Sequence, residues 1–471
     1  MRSAISMIAA AAALTLLIQR PARAQWMPPS SPAATQQASY GSPWMVRPMP
    51  QYEVAPAGYA MHLGDGPPPP GPTPAGPPPA GMAPQVEPPV PPGAGLHGDE
   101  WGGCDSRGGC SAGSGYCRCP SCRQGLGIDQ VFCGLEYLSW YNKGISLPAL
   151  VTTSPQVTPQ ATAGVLPGAT VVFGGNDIDD ERKTAGRLTV GWWSDEAHTL
   201  AVVGKLYGVE GGAVRFGQAS AGNPILARPF FNVDPLVNAE DALLIAYPGL
   251  ANGSINVTAA NDILGTDIYF RSLVDHGHSY RLDVIGGWQY NRIDSDLDIS
   301  SRHTQGATTF VFNDIFQVEN EFNAGTLGLY TEVYHKYLTF SALGKIGIGA
   351  MNQQVLVTGT NAVIAGGTVT TAGGLLTQPT NIGLRERDVL AFSPEVNFKL
   401  NCAITDQISM SVGYTFLYWT RVSFAGDQID RVVNGTQLNG GAPVGPGRPL
   451  PLFNDTDFWV QSIDLGVNFN Y

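Results

Sequence analysis

Ten segments of this chain alternate apolar and polar residues with period two, and this pattern constrains the fold more than any other feature. In RLDVIGGWQYN, residues 281–291, the even positions are mostly apolar or aromatic, whereas the odd positions include Arg281 and Asp283. Strict alternation over such lengths is typical of strands whose two faces meet different surroundings. The predicted strands are 131–141, 184–193, 199–209, 262–273, 281–291, 321–335, 337–350, 388–402, 407–421 and 456–471.

The connections between these segments are short and long in strict turn. The short ones are 194–198, 274–278, 335–336 and 403–406, and the five between them are long and rich in Gly, Asn, Thr and Pro. Tight turns at one end and long loops at the other are typical of outer-membrane barrels. We therefore expect an all-β fold, a transmembrane antiparallel up-and-down β-barrel of about ten strands over residues 127–471. A barrel of twelve strands is the alternative, because GSINVTA and TTFVFND, within the predicted loops, could form a further hairpin.

If the apolar face of each strand meets lipid, the other face must fill the lumen, and that face carries as many acidic as basic residues. Charges inside a narrow barrel are tolerated when they are paired, so a near-neutral set favours a lumen filled by side chains. A barrel of ten to twelve strands is close in size to the eight-stranded barrels whose interior is filled by side chains. We expect at most a narrow or gated pore for small solutes. The predicted lumen charges are Glu136, Asp267, Asp283, Glu332, Glu395 and Asp464 with Arg187, Lys205, Arg271, Arg281, Lys345 and Lys399.

The N-terminal region predicts export followed by a tether. Residues 1–24 combine Arg2, an apolar stretch and an ARA cleavage site, which together indicate a signal peptide. Residues 25–98 are dominated by Pro, Gly and Ala, with GPPPPGPTPAGPPPAG as the extreme, and have too few large apolar residues to fold. We expect a disordered tether there, and either a spacer or a ligand for a proline-binding partner fits it.

A cysteine-rich segment, residues 99–126, follows the tether. In an exported protein such a cluster indicates disulfides, whose connectivity the sequence leaves open. Zinc is the alternative, because CRCPSC could supply three thiolates, although paired Cys-x-x-Cys knuckles are missing. Cys402 is the seventh cysteine. The disulfide candidates are Cys104, Cys110, Cys117, Cys119, Cys122 and Cys133.

Other candidate chemistry is sparse, and we predict neither an enzyme nor a cofactor. DHGH, with His276 and His278, is at best half a metal site, and the acidic run in GGNDIDDER lacks the spacing of a helix-loop-helix calcium loop. GDQIDR is expected to pair internally or to fold inward as a constriction. His303 is the one histidine in the five predicted long connections, which leaves little for a general base. The net charge of -12 argues against nucleic acid.

Eight short stretches from about residue 130 onward resemble, in order, the Putative beta barrel porin-7 family of bacterial outer-membrane proteins. The resemblance implies the location and the barrel, names no solute, and transfers no catalytic or ligand residue. The tether and the cysteine cluster lie outside it. The stretches are EYLSWYNKG, LPALVTTSP, VVFGGN, LARPFFNV, QPTNIG, YTFLYWTRV, GDQIDRVVN and TDFWVQ.

The last segment predicts a barrel-assembly signal. Asp464, Gly466, Phe469 and Tyr471 fit a polar-x-Gly-x-x-aromatic-x-aromatic pattern on the final strand, which must pair with the first strand to close the barrel. The expected partners are outer-membrane lipid, the assembly machinery and, through the tether, peptidoglycan or a periplasmic protein. A structural or adhesive envelope protein that uses the barrel as an anchor is the alternative to a pore.

Overall fold

A computed structural model describes residues 130–209, 212–438 and 444–470 of the chain. Ten long strands dominate it, each paired antiparallel with its neighbours in the chain. We number these barrel strands in chain order. They are β1 Val131–Asn142, β2 Lys183–Trp193, β3 Leu200–Val209, β4 Asn252–His276, β5 Tyr280–Gln305, β6 Thr308–His335, β7 Leu338–Ile364, β8 Gly383–Ala403, β9 Ile408–Val422 and β10 Thr456–Asn470.

The sheet closes on itself through β1 and β10. Phe132 pairs with Asn470 and Asn142 with Val460, while the opposite edge of β1 pairs with β2. Closure leaves neither terminal strand as an open edge, as a barrel in lipid requires. The predicted all-β barrel of about ten strands is confirmed. The twelve-stranded alternative is wrong, because 253–259 continues β4 and 308–314 continues β6.

The barrel has a turn end and a loop end. At the turn end the connections are 194–199, 277–279, 336–337 and 404–407, close to those predicted. At the loop end four connections are long: 143–182, 210–251, 365–382 and 423–455. The fifth, predicted to be long over 292–320, is the two-residue hairpin 306–307, because 292–305 and 308–320 are strand rather than loop.

The sequence pattern misses this extension because the polarity of the two faces is exchanged partway along each long strand. In β5, Asp283 and Gln289 point inward in the part near the turn end, and Ile293 and Leu297 do so farther along on the same face. On the outward face, Trp288 gives way to polar residues such as Asp296. We call 280–291 of β5 and the matching parts of its neighbours the turn half, and the remainder the loop half. The alternation continues, but the inward face becomes apolar and the outward face becomes polar.

Long connections fold back into the loop half and form a plug there. Its five-stranded sheet comprises Ala239–Ala246, Leu226–Asn232, Val151–Thr153 and Thr170–Phe173 in that order, with Val432–Val433 beside Leu226–Asn232. Leu150, Phe230 and Val433 from the plug pack in one apolar cluster with Ile299 and Phe316 of the wall. The remaining elements are strands Ile145–Ser146, Asp177–Ile178, Val214–Ser220 and Thr368–Ala372, and 3-10 turns Gln160–Thr162, Gly426–Gln428 and Gly435–Gln437.

Within the described ranges, no helix is both long and apolar enough to span a bilayer. The turn half instead presents an outward apolar face. Leu135, Phe270, Leu329, Ile348 and Leu465 are each half or more exposed on it. Such a band is what lipid-facing strands require.

Candidate functional site

All twelve charges that the alternation assigned to the lumen point inward in the turn half and take part in ion pairs. They form three groups of four, and each group holds two cations and two carboxylates, so that each is formally neutral. We call them the central, wall and rim quartets. The central quartet is Lys205, Lys345, Asp267 and Glu395; the wall quartet is Arg187, Lys399, Glu136 and Asp464; the rim quartet is Arg271, Arg281, Asp283 and Glu332.

The central quartet crosses the lumen. Lys205 of β3 lies 2.7 Å from Asp267 of the adjacent β4 and also 2.7 Å from Glu395 of β8, on the opposite wall. Lys345 of β7 completes the square, at 2.5 Å from Asp267 and 3.0 Å from Glu395. Each ammonium therefore contacts both carboxylates. Because these contacts join opposite walls, they close the passage at this level.

The wall quartet joins the strands at which the barrel closes. Arg187 of β2 binds Glu136 of β1 and Asp464 of β10, each at 2.5 Å, and Lys399 of β8 lies 2.6 Å from Glu136. Gly466 keeps room for this group, since a β-carbon there would lie 2.8 Å from Cγ of Glu136. The group thus ties the first strand to the last.

The rim quartet lies nearest the turn end and is built around one carboxylate. Asp283 accepts hydrogen bonds from Nε of Arg271 and, at 2.9 Å, from Nε of Arg281. Glu332 lies 3.3 Å from Nη2 of Arg271. The guanidinium carbon of Arg271 is 3.9 Å from the ring centre of Tyr330 and 5.2 Å from that of Trp193. Its plane is therefore fixed between two rings.

The neutrality of each quartet is what allows so many charges to be buried. An ion taken from water into a protein interior loses several kcal/mol of hydration, which only good geometry and extra hydrogen bonds recover. Each carboxylate here meets at least one cation within 3.3 Å. Pairing across strands distant in sequence cannot be read from alternation, which is why only the inward set was predictable.

Beyond the central quartet the lumen is apolar and tightly packed. Trp140, Phe322, Met351, Leu417 and Trp419 belong to one buried cluster that spans it. The gap between this cluster and the central quartet has no volume that would admit a water molecule. A solute could pass only if side chains moved.

The plug is fixed to the wall by a buried pair that the alternation did not reveal. Arg228 donates to Asp314 of β6 at 2.6 Å, and both side chains are almost fully buried. The backbone amides of Leu376 and Thr377, from another long connection, donate to the same carboxylate, each at 2.8 Å. Asp314 therefore joins two long connections to the wall. The signal in the sequence was an arginine within the apolar stretch LARPFFNV, a stretch that we used only for family resemblance.

A cavity of about 500 Å³ lies in the lumen on the turn-end side of the central quartet. Arg187, Lys205, Arg271, Arg281 and Lys399 line it, but of the carboxylates in the three quartets only Glu332 and Glu395 do so. The surface of the cavity is therefore richer in positive than in negative groups.

His303, expected in a long connection, lies instead in β5 and points inward. Its ring stacks on Phe310 and Phe312, with centres 5.0 and 6.1 Å away. Burial in this apolar layer lowers the pKa of His303 to about 4. It is a packing residue of the loop half, and no group of three or more metal-ligating side chains occurs in the described ranges.

The two acidic loop stretches are built into the structure. Asp179 is buried, 2.6 Å from Lys183, and accepts a hydrogen bond from Asn261 of β4. GDQIDR folds inward as one of its alternatives proposed, but internal pairing is wrong: Arg431 contacts Glu240 instead, and Asp430 contacts Arg448. Both stretches therefore stabilise the plug.

The remaining predictions concern residues that the structure describes only in part. Cys133 lies in β1 and forms no disulfide with Cys402, the other cysteine in the described part. Phe469 of the expected assembly signal pairs with Cys133. The signal peptide, the tether, the five other cysteine candidates and Tyr471 lie outside the described residues, so those predictions stay predictions.

Comparisons with known proteins identify one family. The model of the family described as Putative beta barrel porin-7 (BBP7) matches residues 132–471. A search of the curated proteins found no match.

Solved barrels resemble the chain only distantly. The outer membrane protease OmpT from Escherichia coli is 8% identical, with 73% of this chain and 97% of that chain covered and a TM-score of 0.34. A Pseudomonas aeruginosa FadL homologue is 10% identical, with 73% and 91% covered and a TM-score of 0.23. Similarity at this level carries no argument about activity.

Proposed function

The chain belongs to the Putative beta barrel porin-7 family, and from that premise we propose that it is an outer-membrane barrel whose lumen is closed at rest and opens as a narrow, gated passage for small solutes. The observation that carries the proposal is the double closure of the lumen, by the central quartet in the turn half and by the plug in the loop half. A wide, permanently open pore is incompatible with both.

The chemistry of the turn half favours a passage over a simple anchor. An anchor needs only a packed interior, and apolar side chains of similar volume provide one at equal or lower cost than buried ion pairs. This barrel instead keeps twelve charges and a cavity of about 500 Å³ inside the lipid-facing band. Ion pairs can exchange partners for water or a solute, whereas a packed apolar core cannot. The polar interior therefore fits a passage that is wetted when open.

The plug is the element that must move for such a passage to open. Among its polar contacts with the wall, Asp314 accepts from Arg228, from two backbone amides and from the hydroxyl of Thr377. Asp314→Ala removes the acceptor for Arg228 and for two backbone amides and leaves the barrel ladder unchanged. The matched control is Asp298→Ala, which removes a carboxylate from the outward face of β5, where Asp298 pairs with Ile315, next to Asp314.

Single-channel recording in planar bilayers tests the proposal. We expect the wild type and Asp298→Ala to be closed most of the time, with brief, small openings, and Asp314→Ala to open more often. Large, steady currents from the wild type would refute a closed lumen. A folded Asp314→Ala protein, verified by heat-modifiable gel mobility, that never opens would refute the gate.

A structural or adhesive envelope protein is the second candidate, and the packed plug favours it, because a permanently closed barrel would have this same interior. In that case residues 25–126 would hold peptidoglycan or a periplasmic partner. Deletion of residues 25–126 separates the two functions. Envelope attachment is lost if the tether acts, and gated conductance survives if the barrel acts.

A further inference from the structure

We propose that the cavity at the turn end binds a small organic oxyanion, a carboxylate or a phosphate ester, on the guanidinium of Arg271. The inference goes beyond the proposed function, since it holds whether or not the barrel conducts. It rests on the donors of Arg271, on the charges that line the cavity and on the size of the cavity.

Arg271 has donors to spare. Its side chain is 9% exposed, and its Nε donates to Asp283. Its Nη2 is buried and donates no hydrogen bond to any residue of the described ranges. The carboxylate of Glu332 is near, at 3.3 Å, but not in line for a hydrogen bond, and it already accepts from the hydroxyls of Tyr330 and Tyr334. The carboxylate partners of Arg271 therefore leave a hydrogen-bond donor of this guanidinium unused, and leaving a buried donor unpaired is unfavourable.

The rings around Arg271 fix the direction in which it can act. Tyr330 lies over the guanidinium at 3.9 Å and Trp193 at 5.2 Å, so that both rings restrict its rotation, and Arg271 is among the residues that line the cavity. Arg281 is held on the same indole, at 4.6 Å, and donates its Nη2 to the carbonyl of His198 at 2.6 Å. A fixed guanidinium fork matches the two oxygens of a carboxylate or a phosphate, which is the geometry of the strongest charge-assisted pairs.

The cavity favours an anion and excludes a large one. Five cationic side chains of the quartets line it, and of the six carboxylates of the quartets only Glu332 and Glu395 do so. Its volume of about 500 Å³ is within the range of small-molecule sites, roughly 300–1,000 Å³. The barrel wall separates it from lipid, and its lining reaches the strand ends at Gln130 and Asn470. The ligand is therefore a soluble molecule that enters from the turn end.

Glu332 makes the site testable, because the same arginine is shared between this carboxylate and the ligand. Glu332→Gln removes the competing charge and keeps the shape of the side chain, and its carbonyl oxygen can still accept from one of the two tyrosine hydroxyls that Glu332 binds, Tyr330 and Tyr334. Binding should therefore become tighter. Arg271→Lys keeps the charge but loses the fork, and the loss of one charge-assisted hydrogen bond weakens binding roughly tenfold or more.

The experiment is calorimetric titration of the full-length protein in phosphatidylcholine nanodiscs with phenyl phosphate and benzoate, and with benzyl alcohol as the neutral probe. The control variant is Arg292→Gln, on the outward face of β5. We expect both anions to bind the wild type and the control equally, and benzyl alcohol not to bind. Adding phosphatidylglycerol to the discs should not compete, which separates a soluble ligand from a lipid headgroup.

Three results would overturn the proposal. They are equal binding of the neutral probe, no tightening in a folded Glu332→Gln protein, and competition by phosphatidylglycerol. Loss of binding in Arg271→Lys counts only if heat-modifiable mobility is kept. The Glu332→Gln arm predicts a gain of affinity, which a misfolded protein could not produce.

Discussion

The turn half and the loop half of the barrel use one set of strands to solve opposite problems. In β6 the outward face carries Leu329 in the turn half and Gln317 in the loop half, while the inward face carries Glu332 and then Phe316. The direction of each side chain follows from the pleat, which has period two throughout. The surroundings of both faces change: outside, the apolar band gives way to polar residues, and inside, the ion quartets give way to apolar packing against the plug. A strand can therefore cross an interface without a break if its polar and apolar faces are exchanged at that point.

The largest effect should come from unbalancing the turn half. Lys205→Met leaves the central quartet with two carboxylates and one cation, and an uncompensated buried charge costs about 3–5 kcal/mol of the free energy of unfolding. Lys205→Met with Glu395→Gln restores neutrality through Lys345 and Asp267, which lie 2.5 Å apart, and should recover most of the loss. Urea unfolding followed by heat-modifiable mobility measures both. If the double variant is as unstable as the single one, neutrality is not what stabilises the quartet.

A second prediction compares the two halves directly on one face of one strand. Leu329→Arg places a charge on the lipid-facing band and should cost about 2–4 kcal/mol. Gln317→Arg, on the same face of β6, places the same charge outside that band, opposite Asp296 of β5, and should change the free energy of unfolding by within about 0.5 kcal/mol. Equal costs in liposome-based unfolding would mean that lipid covers both halves.

The smallest effect concerns His303 in the loop half. Its pKa of about 4 lies below the ordinary value of 6.5, so the folded state holds the ring neutral. Because the unfolded chain takes up a proton first, the loop half should lose stability as the pH falls from about 6.5 towards 4. Limited proteolysis of the long connections across this range measures the loss, and His303→Phe should abolish the part due to this ring. An unchanged pH profile in that variant would assign the loss to other groups.

Much of the turn half could be predicted from the sequence, and little of the loop half could. Alternation with an apolar outward face located β1, β2 and β3 to within a few residues, and it assigned Asp267 and Glu395 to the inward face. It could not tell that Lys205 contacts both, because the contact with Glu395 joins strands far apart in the chain. The loop half was not predicted, because a search for strands whose apolar residues always lie on the same face assigns residues 292–320 to a loop.

The contacts of the plug could not be predicted from the sequence, for a different reason. Arg228 lies in a stretch without strand periodicity strong enough to place it, and its partner Asp314 lies in the extension of β6 that the sequence pattern had assigned to a loop. Two of the stretches that carry the family resemblance, LARPFFNV and GDQIDRVVN, belong to the plug. Resemblance located them, but only packing shows that they meet.

The two-residue hairpin at Gly306 has a consequence for how the barrel is made. It joins β5 and β6 in register from Gln305–Thr308 to Tyr280–Val333 without a shift, whereas β1 finds β10 across nearly the whole barrel sequence. Closing a short loop loses little chain entropy, so we expect this ribbon to zip early and the β1–β10 seam to form last. A slip of one residue at the hairpin would turn every side chain of one strand to the opposite face. In the turn half that error would bring Glu332 into lipid, and in the loop half it would bring Phe316 into water.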